Sequence, residues 1–333
     1  MADTTTSYLG MKLRNPIVVS PSPLCTSLDN LKKMEDAGAG AIVLHSLFEE
    51  QLVHDSDYIN ENLWQGTEQY AESLSFFPDQ DDYRLGPERY LELIAAAKES
   101  LGIPVMASLN GVSDGGWIRY AKKMEEAGAD AIELNIYFIP TQPERDAPSV
   151  EQMYCRLLEH VSESVHIPVS VKIGHYFSAI AHMAKQLENA GAKGIVMFNR
   201  FYQPDFDLEE LEVTRGLTLS NSSELLLRLR WTAILFDRMK ADLAITGGVH
   251  TPEDVVKCMM AGARVAMTTS ALLTHGIGHL TTLRDGLVRW MEDHEYDTVE
   301  MMQGSMSQRS VRDPAAFERA NYMRILTEYT PSV

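Results

Sequence analysis

The stretch DLAITGGVHTPEDVVKCMMAGARVAMTTSALL, Asp242 to Leu273, reads as a short apolar strand, a Gly-Gly turn, an amphipathic helix, a second apolar strand and the start of another helix. Gly247-Gly248 lets the backbone approach a ligand closely, because no side chain stands in the way. Thr251-Pro252-Glu253-Asp254 is a helix start: a capping hydroxyl, proline at the first helical position, then acids in the first turn. The second strand ends in Thr268-Thr269-Ser270, just before a new helix. Two such strand ends side by side offer backbone N–H groups and hydroxyls to one anion. In a (β/α)8 barrel, strands 7 and 8 put their phosphate site there.

Working outward, the end of that helix belongs to a phrase that recurs four times: EDAGAGAIVL at 35–44, EEAGADAIEL at 125–134, ENAGAKGIVM at 188–197 and MMAGARVAMT at 259–268. Each is a helix end, an Ala-Gly break and an apolar strand. Glycine just past a helix supplies the left-handed turn that stops it, and the apolar run suits a strand buried on both faces. A second phrase, Ile103-Pro104-Val105 and Ile167-Pro168-Val169, opens two more strands after helices. With the strand after Asn15-Pro16 and the one after Ala241, eight strands result: 16–20, 40–46, 103–109, 130–136, 168–173, 194–199, 242–247 and 264–269. Helical patterns such as LDNLKKMEDAG separate them. Strict β/α alternation predicts a TIM (β/α)8 barrel, with a doubly wound open sheet as the alternative.

The barrel is expected to form a single domain over residues 1–333, with insertions after strands 2 and 6 and an added C-terminal helix. The first insertion falls within 47–100, an acidic and aromatic excursion. The second falls within 200–241, where a helix is predicted from Ser222 through Lys240. The terminal helix is predicted over 313–329.

Of the 333 residues, 45% are apolar, enough for a large core. The 47 acids against 29 bases give a net charge of −18, which repels nucleic acid and anionic membranes. No apolar run approaches the ~20 residues that span a bilayer, and the N-terminus lacks the features of a signal peptide. Cys25, Cys155 and Cys258 stand singly, so neither a disulfide framework nor a four-cysteine cluster is implied. A cytoplasmic protein without a metal site is the expectation. Cys25, with no basic neighbour, is read as inert.

Functional side chains in a barrel sit at the C-terminal strand ends. Those positions hold Ser20, His45, Asn110, Asn135, Lys172, Asn199, Gly247-Gly248 and Thr269-Ser270. Side-chain alternation places Ser170 with Lys172, Glu133 with Asn135, and Ala41 with Val43 and His45. Lysine, asparagines and histidine are therefore expected to converge inside the mouth. A lysine there either stabilises developing negative charge or forms a Schiff base. Its plain alternative is a side chain snorkelling out to solvent. Asn135 and Asn199 offer paired donors and acceptors to a planar heterocycle, or else cap the loops that follow. His45 is read as a ligand contact or a satisfied core histidine. Glu133 is read as structural, with Lys172 as its cation.

In these features the chain resembles the dihydroorotate dehydrogenase family, specifically its soluble, FMN-containing class. The resemblance covers most of residues 8–310: Leu9-Gly10 with Leu13-x-Asn15-Pro16, Gly38–Ser46, Glu133-Leu134-Asn135, Val169–Gly174, TGGVHTPEDVVKCMMAGA and TTSALL. It implies an FMN across the barrel mouth, its phosphate on Gly247, Gly248, Thr269 and Ser270. Ser20 and Pro21 would back the ring system, and Ser46 joins the cofactor-binding set. Lys172 would face the flavin's pyrimidine edge, where negative charge grows on reduction. Asn135 and Asn199 would face ring or substrate. A homodimer is implied as well.

The chain also departs from the family. His45-Ser46 stands where a Lys-Ser pair is usual. In the run Asn135-Ile136-Tyr137-Phe138-Ile139-Pro140, Phe138 falls on the position of the catalytic Cys or Ser base, and the following asparagine is missing. The asparagine-rich segment that helps hold orotate has only Tyr83-Arg84-Leu85-Gly86-Pro87 as its nearest remnant. Phenylalanine cannot accept a proton. The resemblance therefore implies an FMN-dependent oxidoreductase acting on a small planar substrate, with Lys172, Tyr137 and His45 as the catalytic candidates and Tyr137 or His45 as proton donor. The alternatives are a working dihydroorotate dehydrogenase of pyrimidine synthesis, a non-redox sugar-phosphate enzyme using Lys172, and a flavin-holding subunit of a redox complex. Without an iron–sulfur cysteine set, electrons must leave by a redox partner protein or a soluble acceptor.

Overall fold

The computed structural model describes residues 2–49, 86–111, 117–201, 203–214 and 216–328. Most of the expected first insertion, with Tyr83, Arg84 and Leu85, lies outside the described residues, as do 329–333. Eight parallel strands close into a barrel: β3 (Ile17–Val19), β4 (Ala41–Phe48), β5 (Val105–Asn110), β6 (Ala131–Asn135), β7 (Val169–Ile173), β8 (Gly194–Met197), β11 (Asp242–Thr246) and β12 (Val265–Thr268). Closure comes from β8 pairing with β11 and β12 pairing with β3. The predicted TIM barrel is therefore the fold, and the open sheet is excluded.

The repeated Ala-Gly phrase does the same job four times. Gly38, Gly128, Gly191 and Gly262 all take φ between 98° and 111°. Behind each, the next N–H turns back to a carbonyl in the last helical turn: Ala39 to Met34, Ala129 to Met124, Ala192 to Leu187 and Ala263 to Cys258. This left-handed stop satisfies carbonyls that the helix end would otherwise leave open. It drops the chain directly into the next buried strand.

The strands divide their side chains by alternation. Ile17, Val19, Ile42, Leu44, Val105, Ile132 and Ile195 face outward into the main core under the helices. Val18, Val43, Met106, Ala131, Val196, Ala244, Val265 and Met267 fill the barrel interior. An N-terminal hairpin, β1 (Thr6–Tyr8) with β2 (Met11–Leu13), plugs the bottom with Tyr8, Leu9 and Leu13. Gly194 makes room for this plug, since a Cβ there would lie 2.7 Å from Leu9 Cδ2. Each such fully buried side chain contributes roughly 1.5–3 kcal/mol.

Four features were not visible in the pattern. The N-terminal plug is one. A second hairpin, β9 (Asp205–Asp207) with β10 (Glu212–Thr214), stands between β8 and its helix and exposes Phe206 and Val213. The helix after it runs only Leu225–Leu235, short of the predicted Lys240, because Phe236 and Asp237 leave helical geometry, Asp237 at φ 65°. The terminal segment is a 3-10 turn at Pro314–Phe317 and a helix at Ala320–Glu328, separated by extended Glu318. Among the described residues, no helix is long and apolar enough to cross a membrane.

Candidate functional site

A cavity of about 730 Å³ opens at the C-terminal ends of the strands. All twelve residues expected in the site line it: Ser20, Pro21, His45, Ser46, Asn135, Tyr137, Lys172, Asn199, Gly247, Gly248, Thr269 and Ser270.

At one end, three strand termini are stitched together. Ser20 Oγ and Thr246 Oγ1 are 2.9 Å apart, and the Thr269 hydroxyl donates to the Ser20 carbonyl at 2.9 Å. The Thr268 hydroxyl donates to the Val249 carbonyl at 2.9 Å. Gly247 and Gly248 take φ of 84° and 83°, and a Cβ on Gly248 would lie 2.5 Å from the Leu225 nitrogen. The turn is therefore glycine by conformation and by packing. Behind it the predicted cap is present: Thr251 and Asp254 form a reciprocal capping box. Buried Asp254 also accepts from the His250 and Thr251 N–H groups and, at 2.6 Å, from the Ser222 hydroxyl.

Two residues at this end escaped the sequence reading. Ser220 accepts from the Gly248 N–H, lies 3.0 Å from His250 Nε2 and donates its own N–H to Ser270 Oγ. Arg228, 5% exposed, donates to the carbonyls of Thr246 and Glu224 directly behind Gly247. Burial pushes its guanidinium below the usual arginine range, with Glu224 opposing. A single arginine facing inward from the apolar run LLLRLRWTAIL was the signal that could have found it.

On the floor, Lys172 Nζ donates to Glu133 Oε1 at 2.6 Å. Glu133 is wholly buried, and its Oε2 has no hydrogen-bond partner. Lys172 is thus an interior lysine aimed at the cavity rather than a snorkelling one. Asn199 Nδ2 donates to Asn135 Oδ1, tying β6 to the end of β8. Glu133→Ala would leave the ammonium buried without its counter-charge. It should cost roughly 3–5 kcal/mol, read as a lowered urea midpoint at unchanged slope.

The remaining wall differs in detail from the expectation. A register shift between Val43 and Ser46 interrupts alternation in β4, so His45 does not simply continue the face of Ala41 and Val43. Ser46 instead meets its neighbour Ser108 on the adjacent strand β5, Oγ to Oγ at 2.9 Å. His45 still lines the cavity, packed edge-on against Tyr90 at 4.8 Å between ring centres. Among the described residues, neither of its ring nitrogens finds a hydrogen-bond partner. Burial lowers its pKa, with the Cys25 backbone opposing.

Tyr137 is the wall residue after β6, stacked at a tilt on Phe201 with 4.4 Å between centres. Phe138 packs on the outer core beneath the Arg145 guanidinium, 5.1 Å from ring centre to Cζ, and does not line the cavity. Asn110, Arg200 and Leu219 line it as well. Cys25 is buried, and burial pushes its thiol up to about 11, in keeping with the inert reading. Among the described residues, no group of histidines, cysteines or acids is placed to hold a metal.

Comparison with known proteins matches residues 66–291 to the family described as dihydroorotate dehydrogenase. The putative dihydroorotate dehydrogenase A (fumarate) of Aeropyrum pernix is 28% identical over 208 residues, 60% of this chain and 66% of that protein. The catalytic subunit of dihydroorotate dehydrogenase B (NAD(+)) from Thermoplasma acidophilum is 25% identical over 311 residues, 91% of this chain and 99% of its own. Subunit PreA of the NAD-dependent dihydropyrimidine dehydrogenase of Escherichia coli K12 is 22% identical over 335 positions, 91% of this chain and 76% of its own.

Proposed function

Because the chain belongs to the dihydroorotate dehydrogenase family, we propose that the barrel-mouth cavity binds FMN and a small planar substrate, and that the protein is an oxidoreductase acting on a carbon–carbon bond of that substrate. The carrying observation is the cavity's polarity. An anion grip of glycine turn, hydroxyls and helix start stands at one end, and Lys172 stands on the floor. Its volume lies within the roughly 300–1,000 Å³ usual for cofactor sites, and the partnerless ring nitrogens of His45 fit an added ligand.

When bound, FMN supplies a ring that exchanges a hydride equivalent with the substrate. The chain's own part is positioning and charge. The Thr269 and Ser270 N–H groups and neighbouring hydroxyls would hold the phosphate, with Arg228 adding positive charge from behind. Glu133 fixes Lys172 at the floor. Asn135 and Asn199 would orient a ring edge, and the Tyr137 phenol would hand over a proton. The Lys172 amine is committed to Glu133 rather than free to attack a carbonyl, which disfavours the Schiff-base alternative.

A redox partner protein belongs to the same proposal, supported by relatives that are named as subunits. So does a homodimer, for which the exposed β9–β10 hairpin offers an apolar surface. Reconstitution tests the core of the reading. Incubation with FMN and gel filtration should leave one FMN per chain and a flavin absorbance spectrum. A colourless protein after that treatment would overturn it.

A further inference from the structure

We propose that the cavity selects an uncharged planar ring, with an N–H and a C=O adjacent on one edge, over the same ring bearing a carboxylate. This rests on the reading of the cavity as a flavin and substrate site, and it concerns charge. Among the described residues, the cations lining the cavity are already compensated. Lys172 holds Glu133 at 2.6 Å, and Arg200 Nε holds Glu224 at 3.0 Å while its Nη1 donates to the Thr218 carbonyl. Arg228 lies behind the Gly-Gly turn, at the anion grip, bound to two carbonyls.

His45, the remaining basic side chain on the wall, has both ring nitrogens buried and, among the described residues, without a hydrogen-bond partner. Its closest ring neighbour is Tyr90, and no carboxylate salt bridge forms to it among the described residues. The Cys25 backbone favours the imidazolium, but burial outweighs it and moves the His45 pKa down. An anion brought to this wall would lose its water without gaining a counter-charge.

The asparagine pair sets the other half of the preference. With Asn199 Nδ2 given to Asn135 Oδ1, the pair keeps the Asn135 amide N–H groups and the Asn199 carbonyl for a ligand. Turning both amides over exchanges the residues but leaves the same set of one donor and one acceptor. That set complements an N–H beside a C=O.

Uracil and orotate form a matched probe pair, differing by the carboxylate alone. Titrated into FMN-loaded protein and followed by flavin absorbance, uracil should bind at least about tenfold more tightly than orotate. His45→Lys should narrow that ratio about tenfold by gaining orotate affinity, with uracil little changed. His45→Gln, neutral and free of a buried ammonium, should keep the wild-type ratio. Equal or tighter orotate binding by the wild type overturns the proposal. So does binding of neither ring, or a ratio that His45→Lys leaves where it was. Calorimetry with the same two probes on flavin-free protein separates the readings: loss of flavin binding with the charge preference intact strikes only the flavin assignment.

Discussion

Dihydroorotate added anaerobically to the FMN-loaded protein should bleach the flavin about 10²–10⁴-fold more slowly than it bleaches a relative with a Cys or Ser base, the range that removal of a general base typically costs. The reason is local. Position 138 is phenylalanine, and its ring lies under the Arg145 guanidinium on the outer core. The wall position beside it belongs to Tyr137, a phenol suited to giving a proton rather than taking one. Stopped-flow absorbance of the oxidised flavin is the measurement, and bleaching as fast as in a base-bearing relative would sink the idea. Phe138→Cys alone should recover little, because the side chain at 138 does not line the cavity. Recovery would need residues 137–140 to turn the position inward.

Lys172→Met has the second largest expected effect. The ammonium stands at 6% exposure on the cavity floor, where a charge-assisted hydrogen bond is worth roughly 1.5–3 kcal/mol. Its loss should lower the two-electron flavin potential by about 30–65 mV, since about 30 mV corresponds to 1.4 kcal/mol. Reduction of the bound flavin by substrate should slow by roughly 10²–10³, as when an anion-stabilising donor is removed. The same substitution strands Glu133 as a buried, unpaired carboxylate, so stability falls too. The double variant Lys172→Met with Glu133→Gln separates the two. It should regain most of the lost stability while keeping the lowered potential. A potential unchanged in both variants would remove Lys172 from the role.

Periodicity is the strongest signal in the chain, and the fold follows it closely. Four Ala-Gly helix stops and two Ile-Pro-Val strand starts located six of the eight strands, and the observed termini lie within about two residues of the expected ones, as boundaries often do. Alternation also placed Ser170 with Lys172 and Glu133 with Asn135 on the interior face, and β6 and β7 pair Asn135 with Lys172 as neighbours. It brought His45 to the cavity as expected but did not show the register irregularity in β4, which depends on the partner strand β5. The short hairpins were missed because three-residue strands carry too few alternations to read.

The sequence by itself determined the barrel, the Gly-Gly turn and hydroxyl-bearing ends of its last two strands, and the set of side chains at the mouth. Each of these follows from local order: helix caps, glycine stops and strand alternation act over a few residues. The tertiary structure alone decided which of those side chains are already spoken for. Lys172 finds Glu133 across 39 residues of chain, Asn199 finds Asn135 across 64, and Arg228 comes to lie behind Gly247. Those partnerships depend on the register of neighbouring strands and on how a helix packs over a turn. They fix the charge left for a ligand.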